Sequence, residues 1–166
     1  MQIVDVGRSH LEQIAAIYDA VVVSSPATFD LEPPPIGYWE RALEALDHDA
    51  GHYLIVGVDE AGDVLGYAKS GQFRQRAAYD TTCETSIYVA EAARGQGFGR
   101  AIYTHLIELL EASPARLAVG GMTAPNAASA ALHASLGFTL VGTFEGVGVK
   151  FGRAWDVTWY QRSLAG

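Results

Sequence analysis

The stretch RGQGFGRA, residues 94–101, places three glycines between two arginines and directly before an apolar-periodic segment. Glycine costs backbone entropy on folding, so Gly95, Gly97 and Gly99 together predict a backbone that turns tightly or approaches a ligand closely. A glycine loop between a strand and a helix commonly presents N–H groups to phosphate, helped by the positive end of the helix. The stretch therefore predicts an anion-binding loop in an α/β domain.

The segments around this loop alternate between strand and helix patterns. Residues 84–89 alternate as a strand, and apolar residues from Phe98 to Leu110 fall on one helical face. Ser9 and Glu12 predict a capping box before the first helix. The pattern predicts further strands at 3–6, 52–58, 64–70, 117–121, 138–143 and 155–162, and helices within 11–22, 39–46 and 126–136. The glycine-rich VGVKFGRAWD is expected to connect the last two strands. The order is β-α-α-β-β-β-α-β-α-β-β, an α/β domain around one mixed sheet.

Length and composition predict one globular domain spanning residues 1–166, with 49% hydrophobic residues. The formal net charge of −8 argues against broad binding to nucleic acid or to an anionic membrane. Cys83 is the single cysteine, which fits a reducing compartment. The N-terminus lacks a signal pattern and no apolar run reaches membrane-spanning length, so we expect a cytoplasmic protein.

Two well-known phosphate motifs do not fit the glycine loop. A P-loop requires Gly-Lys at a spacing that is missing here, and a dinucleotide motif requires a small residue where Arg100 or Ile102 stands. What fits is R-x-x-G-x-G, residues 94–99, which resembles the acetyl-coenzyme A loop of the GNAT N-acetyltransferases. PNAASAALHASLGF, residues 125–138, is similar to the second coenzyme A segment of that superfamily. ETSIYV, residues 84–89, is similar to its pantetheine-binding strand.

Other segments narrow the resemblance to the phosphinothricin and methionine sulfone (or sulfoximine) acetyltransferase group. They are SSPATFDLEPP, QFRQRAAYDTTCETSIYV, YTHLIELLEA and VGVKFGRAWDVTWYQRSL, so that the resemblance covers essentially the whole chain. It implies an α/β, single-domain GNAT-type fold with a mixed, mostly antiparallel sheet flanked by helices. It further implies acetyl-CoA as cosubstrate, no metal, a small-molecule amine substrate and a homodimer.

The resemblance also implies site residues. Glu84 corresponds to the proposed general base, working directly or through a water, although a lone glutamate at a strand entry is more often a solvated carboxylate. His133 is expected either to donate a proton to the leaving sulfur or only to pack against coenzyme A. The residues expected at coenzyme A are Ile87, Tyr88, Val89, Arg94, Gly95, Gln96, Gly97, Phe98, Gly99, Arg100, Asn126 and Ser129. Asn126 is compatible with both ligand binding and helix capping.

The acceptor is expected to meet a second group of residues. Arg74 and Arg76 point the same way if their segment is extended, and a guanidinium fork suits a carboxylate or phosphinate. A solvated basic turn is the competing interpretation. Phe29, Phe73, Tyr79 and Thr85 are the other expected acceptor contacts, with core packing the alternative for both phenylalanines.

The single cysteine and a pair of histidines are weak candidates for a catalytic or metal-binding role. Cys83 beside Glu84 suggests an acyl-cysteine carrier, which the direct-transfer resemblance disfavours, and His48 with His52 lacks the context of a metal site. The sequence thus predicts an acetyl-CoA-dependent N-acetyltransferase for a small amino-acid-like amine. The alternatives are an acetyltransferase for a polyamine or a peptide N-terminus, and a non-catalytic acyl-CoA-binding sensor.

Overall fold

The computed structural model describes residues 1–164, and within them seven strands form one sheet with four helices packed on its two faces. The helices are Leu11–Ser24 (α1), Ile36–Glu44 (α2), Phe98–Glu111 (α3) and Ala127–Ser135 (α4). The strands are Gln2–Asp5 (β1), Leu54–Val58 (β2), Val64–Gln72 (β3), Thr82–Val89 (β4), Leu117–Ala124 (β5), Thr139–Lys150 (β6) and Arg153–Ser163 (β7).

The sheet has the order β1-β2-β3-β4-β5-β7-β6, and its one parallel pair is β4 with β5 among the described strands. That parallel ladder runs only from Thr82↔Leu117 to Glu84↔Val119, whereas β4 continues against β3 up to the Gly66↔Val89 pair. β5 likewise continues against β7 to Ala124. The two central strands therefore separate beyond Glu84. The predicted fold, an α/β domain with a mixed and mostly antiparallel sheet, is confirmed.

The alternation of strand side chains divides the core between the two faces. Leu54, Val56 and Tyr67 pack with α1 and α2, in a cluster that includes Ile14 and Trp39. The opposite face packs against α3, with these buried members: Ile55, Ala68, Cys83, Ile102, Tyr103, Leu106, Ile107 and Leu110. Cys83 is thus a buried core residue, which removes it from contact with substrates.

Several sequence-based boundaries are wrong. Ser9 does not cap α1, because it lies inside the 3₁₀ turn Arg8–His10, and α1 follows with His10 at its N-cap and no side-chain cap. The glycine-rich VGVKFGRAWD is not a connecting loop but forms the facing arms of a hairpin. Phe151 and Gly152, with φ of 55° and 74°, make its two-residue turn. The predicted C-terminal glycine of α4, Gly137, is confirmed by its φ of 76°.

Candidate active site

A groove of about 710 Å³ occupies the gap where β4 and β5 separate. Ile87, Tyr88 and Val89 line one wall, and residues 121–123 of β5 line the other. The groove continues to the glycine loop and to α4, where its lining includes Arg94, Gly95, Gly97, Gly99, Arg100, Asn126, Ser129 and His133. The structure therefore brings ten of the twelve residues expected at coenzyme A to one groove, and Gln96 and Phe98 are not among its lining.

The backbone of the glycine loop leaves open space where a ligand would lie. Gly95 and Gly97 have φ of 75° and 85°, and a Cβ at either would meet nothing within 4 Å. A Cβ at Gly99 would lie 3.0 Å from a methyl of Val89, so this glycine lets α3 pack closely on β4. Gly97 is the N-cap of α3 and supplies no side-chain cap. The N-terminal N–H groups of α3 thus remain available to an anion at the groove.

Side chains of the loop turn back onto the chain and hold its shape. The amide of Gln96 donates to the carbonyl oxygen of Ala92 at 2.8 Å, and the Arg94 Nε donates to that of Val89 at 3.3 Å. Asn126 caps α4, because its Oδ1 accepts a hydrogen bond from the Ser129 N–H at 3.0 Å. The capping role expected of Asn126 is confirmed, and Gln96 has a structural use that the sequence did not indicate.

His133 lies at the bottom of the groove and is buried. Its Nδ1 lies 2.8 Å from the carbonyl oxygen of Ser129, and its Nε2 lies 3.3 Å from the Tyr103 hydroxyl. Burial lowers the pKa of the imidazole, and the Ser129 hydrogen bond offsets part of this. The ring is therefore neutral near pH 7, with its proton on Nδ1, which faces the Ser129 carbonyl oxygen. A Cβ at Gly120 would come within 2.7 Å of Nε2, so this glycine makes room for the ring.

Both ring nitrogens of His133 are thus engaged within the protein. Tyr103 in turn lies 2.6 Å from the Thr85 hydroxyl, which is also 3.0 Å from the carbonyl oxygen of Val119. Thr85 is buried and occupies the position directly after the last β4–β5 pair. Of the two roles left open for His133, this geometry favours packing against the cofactor over proton donation. It also gives Thr85 a role in holding β4, β5 and α3 together.

Glu84 points to the other face of β4, into a second cavity of about 480 Å³. Burial raises the pKa of its carboxyl, and the positive charges of Arg74 and Lys69 lower it in part. The carboxylate takes part in no ion pair or hydrogen bond within residues 1–164. Ser86 lines both this cavity and the groove, so the two spaces adjoin beside Glu84. A half-buried carboxyl with a raised pKa is suited to accept a proton near neutral pH.

The two arginines lie where β3 has ended. β3 stops at Gln72 and bends follow it, so the alternation expected of Arg74 and Arg76 does not apply. The Arg74 guanidinium stacks on the Phe73 ring at 4.2 Å and donates to the Phe73 carbonyl oxygen at 2.9 Å. Phe73 also meets Tyr79 edge-on at 5.9 Å between ring centroids, while Arg76 is exposed.

Phe29 lies on a different element from Phe73. It belongs to the loop between α1 and α2, and its ring covers Gly148 of β6 so closely that a Cβ there would overlap it. The same loop is fastened at two carbonyl oxygens. Thr123 donates to that of Pro26 at 2.6 Å, and Lys150, which is buried, donates to that of Thr28 at 2.9 Å. The burial of Lys150 does not follow from the sequence, because nothing in a strand pattern marks a lysine as buried.

Lys69 and Ser86 are two further site residues that the sequence analysis missed. Both line the cavity of Glu84, and they face each other across the β3–β4 ladder. The signal was present in the YAKSG segment, where a lysine interrupts an otherwise apolar strand. Among the described residues, no three His, Cys, Asp or Glu side chains are placed to hold a metal ion. None of the helices in 1–164 has the length and apolar character needed to cross a membrane.

Comparison with known proteins gives a consistent result. The model of the acetyltransferase (GNAT) domain matches residues 3–159. A phosphinothricin N-acetyltransferase of Streptomyces coelicolor is 43% identical over 157 residues, covering 93% of this chain and 91% of the relative. An L-methionine sulfoximine/L-methionine sulfone acetyltransferase of Pseudomonas paraeruginosa is 36% identical over 160 residues, covering 96% of this chain and 92% of the relative.

Solved structures agree in fold along the full chain. A phosphinothricin acetyltransferase of Sinorhizobium meliloti in complex with AcCoA superposes with a TM-score of 0.93 at 33% identity, covering 99% of this chain and 88% of that one. A ribosomal-protein-alanine N-acetyltransferase of Brucella melitensis gives a TM-score of 0.93 at 35% identity, covering 98% and 99%. The groove between the separated central strands, the glycine loop and these matches together establish that the chain belongs to the GNAT family and is an N-acetyltransferase.

Proposed function

We propose that the chain transfers an acetyl group from acetyl-CoA directly to the amino group of a small amino-acid-like acceptor, of the phosphinothricin, methionine sulfone or methionine sulfoximine type. The observation that carries the proposal is Glu84, an unpaired and half-buried carboxylate beside the gap between β4 and β5. The names of the relatives from Streptomyces and Pseudomonas support the acceptor class, and one solved relative contains AcCoA.

The groove has the chemistry that the cosubstrate requires. A pyrophosphate would fit the open space at Gly95 and Gly97, next to the start of α3 and the side chains of Arg94 and Arg100. A pantetheine arm would fit between the walls formed by residues 87–89 and 121–123. Acetyl-CoA supplies the acetyl group as a thioester. Glu84 takes the proton that the acceptor amine must lose, and its raised pKa makes it a stronger base than an ordinary glutamate.

The remaining residues position the two substrates. His133 packs against the cofactor and is held by Tyr103 and Ser129. Arg74 and Arg76 bind the oxygen-rich part of the acceptor, with Phe73, Tyr79 and Phe29 contributing apolar contact. We propose that all 166 residues form one catalytic domain and that it works in the cytoplasm, in line with its single cysteine.

The proposal includes a homodimer formed through β6. This strand is an edge of the sheet, and an edge exposes unpaired backbone groups. Large apolar side chains are exposed along it and at its turn: Leu140, Val141, Phe144, Val147, Val149 and Phe151. Large apolar side chains exposed along an edge strand are typical of a surface that another chain covers.

An amine panel tests the function. We expect coenzyme A thiol release with methionine sulfone, methionine sulfoximine or phosphinothricin, and much less with spermidine or with an alanine-starting peptide. The peptide is a second candidate, because one close structural relative is named a ribosomal-protein-alanine N-acetyltransferase. If the peptide is acetylated faster than the amino acids, the acceptor is a peptide N-terminus rather than an amino acid. If acetyl-CoA binds but no amine causes thiol release, the chain is a non-catalytic acyl-CoA-binding sensor.

A further inference from the structure

The cavity of Glu84 contains two opposite charges that do not pair with each other. Lys69 on β3 and Glu84 on β4 both line it, and no ion pair joins them or involves either within residues 1–164. The Lys69 ammonium has one polar contact, with the Tyr38 hydroxyl at 3.4 Å. A partly buried charge without a counter-ion is costly, so both groups favour a ligand that brings opposite charges.

The strand register sets these two side chains on the same face. Lys69 lies opposite Ser86 and Gly71 lies opposite Glu84, which makes Lys69 and Glu84 diagonal neighbours. Diagonal positions are roughly 7–8 Å apart, within reach of long side chains. This spacing leaves room for the amino and carboxylate groups of one α-amino acid between them.

Gly71 keeps the space beside Glu84 open. A Cβ at Gly71 would meet nothing within 4 Å, and its φ is not in the left-handed region. The backbone therefore does not require glycine here, and packing does not require it either. A side chain at position 71 would instead fill the cavity next to the Glu84 carboxylate.

We propose that this cavity holds the zwitterionic end of the acceptor, with its amino group at Glu84 and its α-carboxylate at Lys69, over Gly71. The inference rests on the proposed function and deepens it, because it assigns the α-carboxylate to Lys69 and leaves Arg74 and Arg76 for the oxygen-rich side chain. Lys69 is then a specificity-determining residue that selects α-amino acids over simple amines.

A substrate pair tests the charge contact. The ratio of kcat/KM for L-methionine sulfone to that for its primary carboxamide is measured in the wild type, Lys69→Gln, Lys69→Arg and Arg74→Gln. Because each ratio compares the same two compounds, their intrinsic reactivity cancels between variants. We expect Lys69→Gln to lower the ratio by roughly ten- to hundredfold, the loss of one charge-assisted contact, with Lys69→Arg restoring most of it. In Arg74→Gln both activities fall and the ratio holds.

A second variant tests the space. Gly71→Leu is expected to raise the KM for L-methionine sulfone several-fold while acetyl-CoA affinity stays unchanged. Gly7→Leu is the control, since Gly7 also has an extended backbone (φ −125°), a Cβ there would meet only atoms of Ser9 and His10 at 3.9 Å, and Gly7 lines neither the cavity of Glu84 nor the groove. An unchanged ratio in Lys69→Gln, or an unchanged KM in Gly71→Leu, overturns the inference while the proposed function stands. A wild type that acetylates none of L-methionine sulfone, L-methionine sulfoximine and phosphinothricin overturns both.

Discussion

The hydroxyls of Thr85 and Tyr103 lie 2.6 Å apart in the interior, and this contact joins β4 to α3 just where β4 leaves β5. Water cannot take the place of this hydrogen bond, because Tyr103 is 0% and Thr85 3% exposed. Burial raises the pKa of Tyr103 to about 12, so its hydroxyl keeps its proton over the whole working range. The bottom of the groove, where β4 leaves β5, is thus held by neutral groups.

Tyr103→Phe should weaken the fold by about 1–3 kcal/mol, because it removes the buried hydrogen bond between the Tyr103 and Thr85 hydroxyls. Urea unfolding at pH 7 measures the change. Tyr79→Phe is the control, since Tyr79 is exposed. Equal stability of the two variants would contradict the role given to the buried hydroxyl.

Glu84→Gln should lower turnover by roughly 10²–10⁴-fold at neutral pH, the usual contribution of a general base. Acetyl-CoA affinity should hardly change, and raising the pH should restore part of the activity because more of the amine is then neutral. The measurements are kcat as a function of pH and the acetyl-CoA affinity from a binding titration. Near-normal turnover at every pH would place the base elsewhere.

Glu84→Gln should also change the pH dependence of the free energy of unfolding. Burial raises the pKa of the Glu84 carboxyl, so the folded state holds its proton more tightly than the unfolded state does. Stability therefore falls as pH rises from the ordinary glutamate range through the raised pKa. Glu84→Gln should be the more stable protein at pH 7 and no more stable at low pH, which thermal unfolding at both pH values can check.

Gly97→Val should reduce acetyl-CoA affinity strongly. Gly97 has a φ of 85°, which a β-branched residue adopts only with strain, and its missing Cβ leaves the groove open. Gly62→Val is a close control, because Gly62 has a φ of 90°, equally open surroundings and a place in the turn between β2 and β3. Both variants should lose similar stability. Equal acetyl-CoA affinity in the two would remove the glycine loop from the cofactor site.

Arg76→Ala should lower kcat/KM for methionine sulfone and phosphinothricin by roughly ten- to hundredfold, the loss of one or more charge-assisted hydrogen bonds. Arg76 is exposed, so the fold should not respond. The measurement is kcat/KM with each acceptor, together with acetyl-CoA affinity, which should stay constant. A silent substitution would show that Arg76 is a solvated residue of the turn.

Phe144→Glu should convert the proposed dimer into monomers. Phe144 is 60% exposed on the edge strand β6, and a charge there would oppose burial against a second copy. Light scattering coupled to size exclusion measures the mass of each form. A monomeric wild type would remove the dimer from the proposal.

Much of the fold follows from local pattern in the sequence. The helical face beginning at Phe98 and the glycine at 137 each combine a periodicity with a specific backbone requirement, and both predictions are confirmed. The glycine-rich arms of β6 and β7 were misjudged because glycine opposes strands locally. Tertiary contacts override that preference there, since the Phe29 ring takes the space over Gly148.

The residues of the site were predictable where their role depends on a short stretch of sequence, and not where it depends on contacts between distant segments. Residues of the glycine loop could be named because their function lies in a contiguous stretch of backbone. The placement of Lys69 beside Glu84 could not be predicted, because it arises only from the register between two strands. His133 could be named, but its protonation depends on its burial, which arises only from the fold, and on the Ser129 carbonyl oxygen.

The loop between α1 and α2 is held through its own carbonyl oxygens at Pro26 and Thr28, by Thr123 and Lys150 from the body of the domain. Every amino acid has a carbonyl group, so this attachment places no demand on the side chains at positions 26 and 28 themselves. These two attachments therefore tolerate changes of side chain, whereas the hydrogen bonds of Tyr18 with the Thr28 hydroxyl and the Asp30 carboxylate require those particular residues.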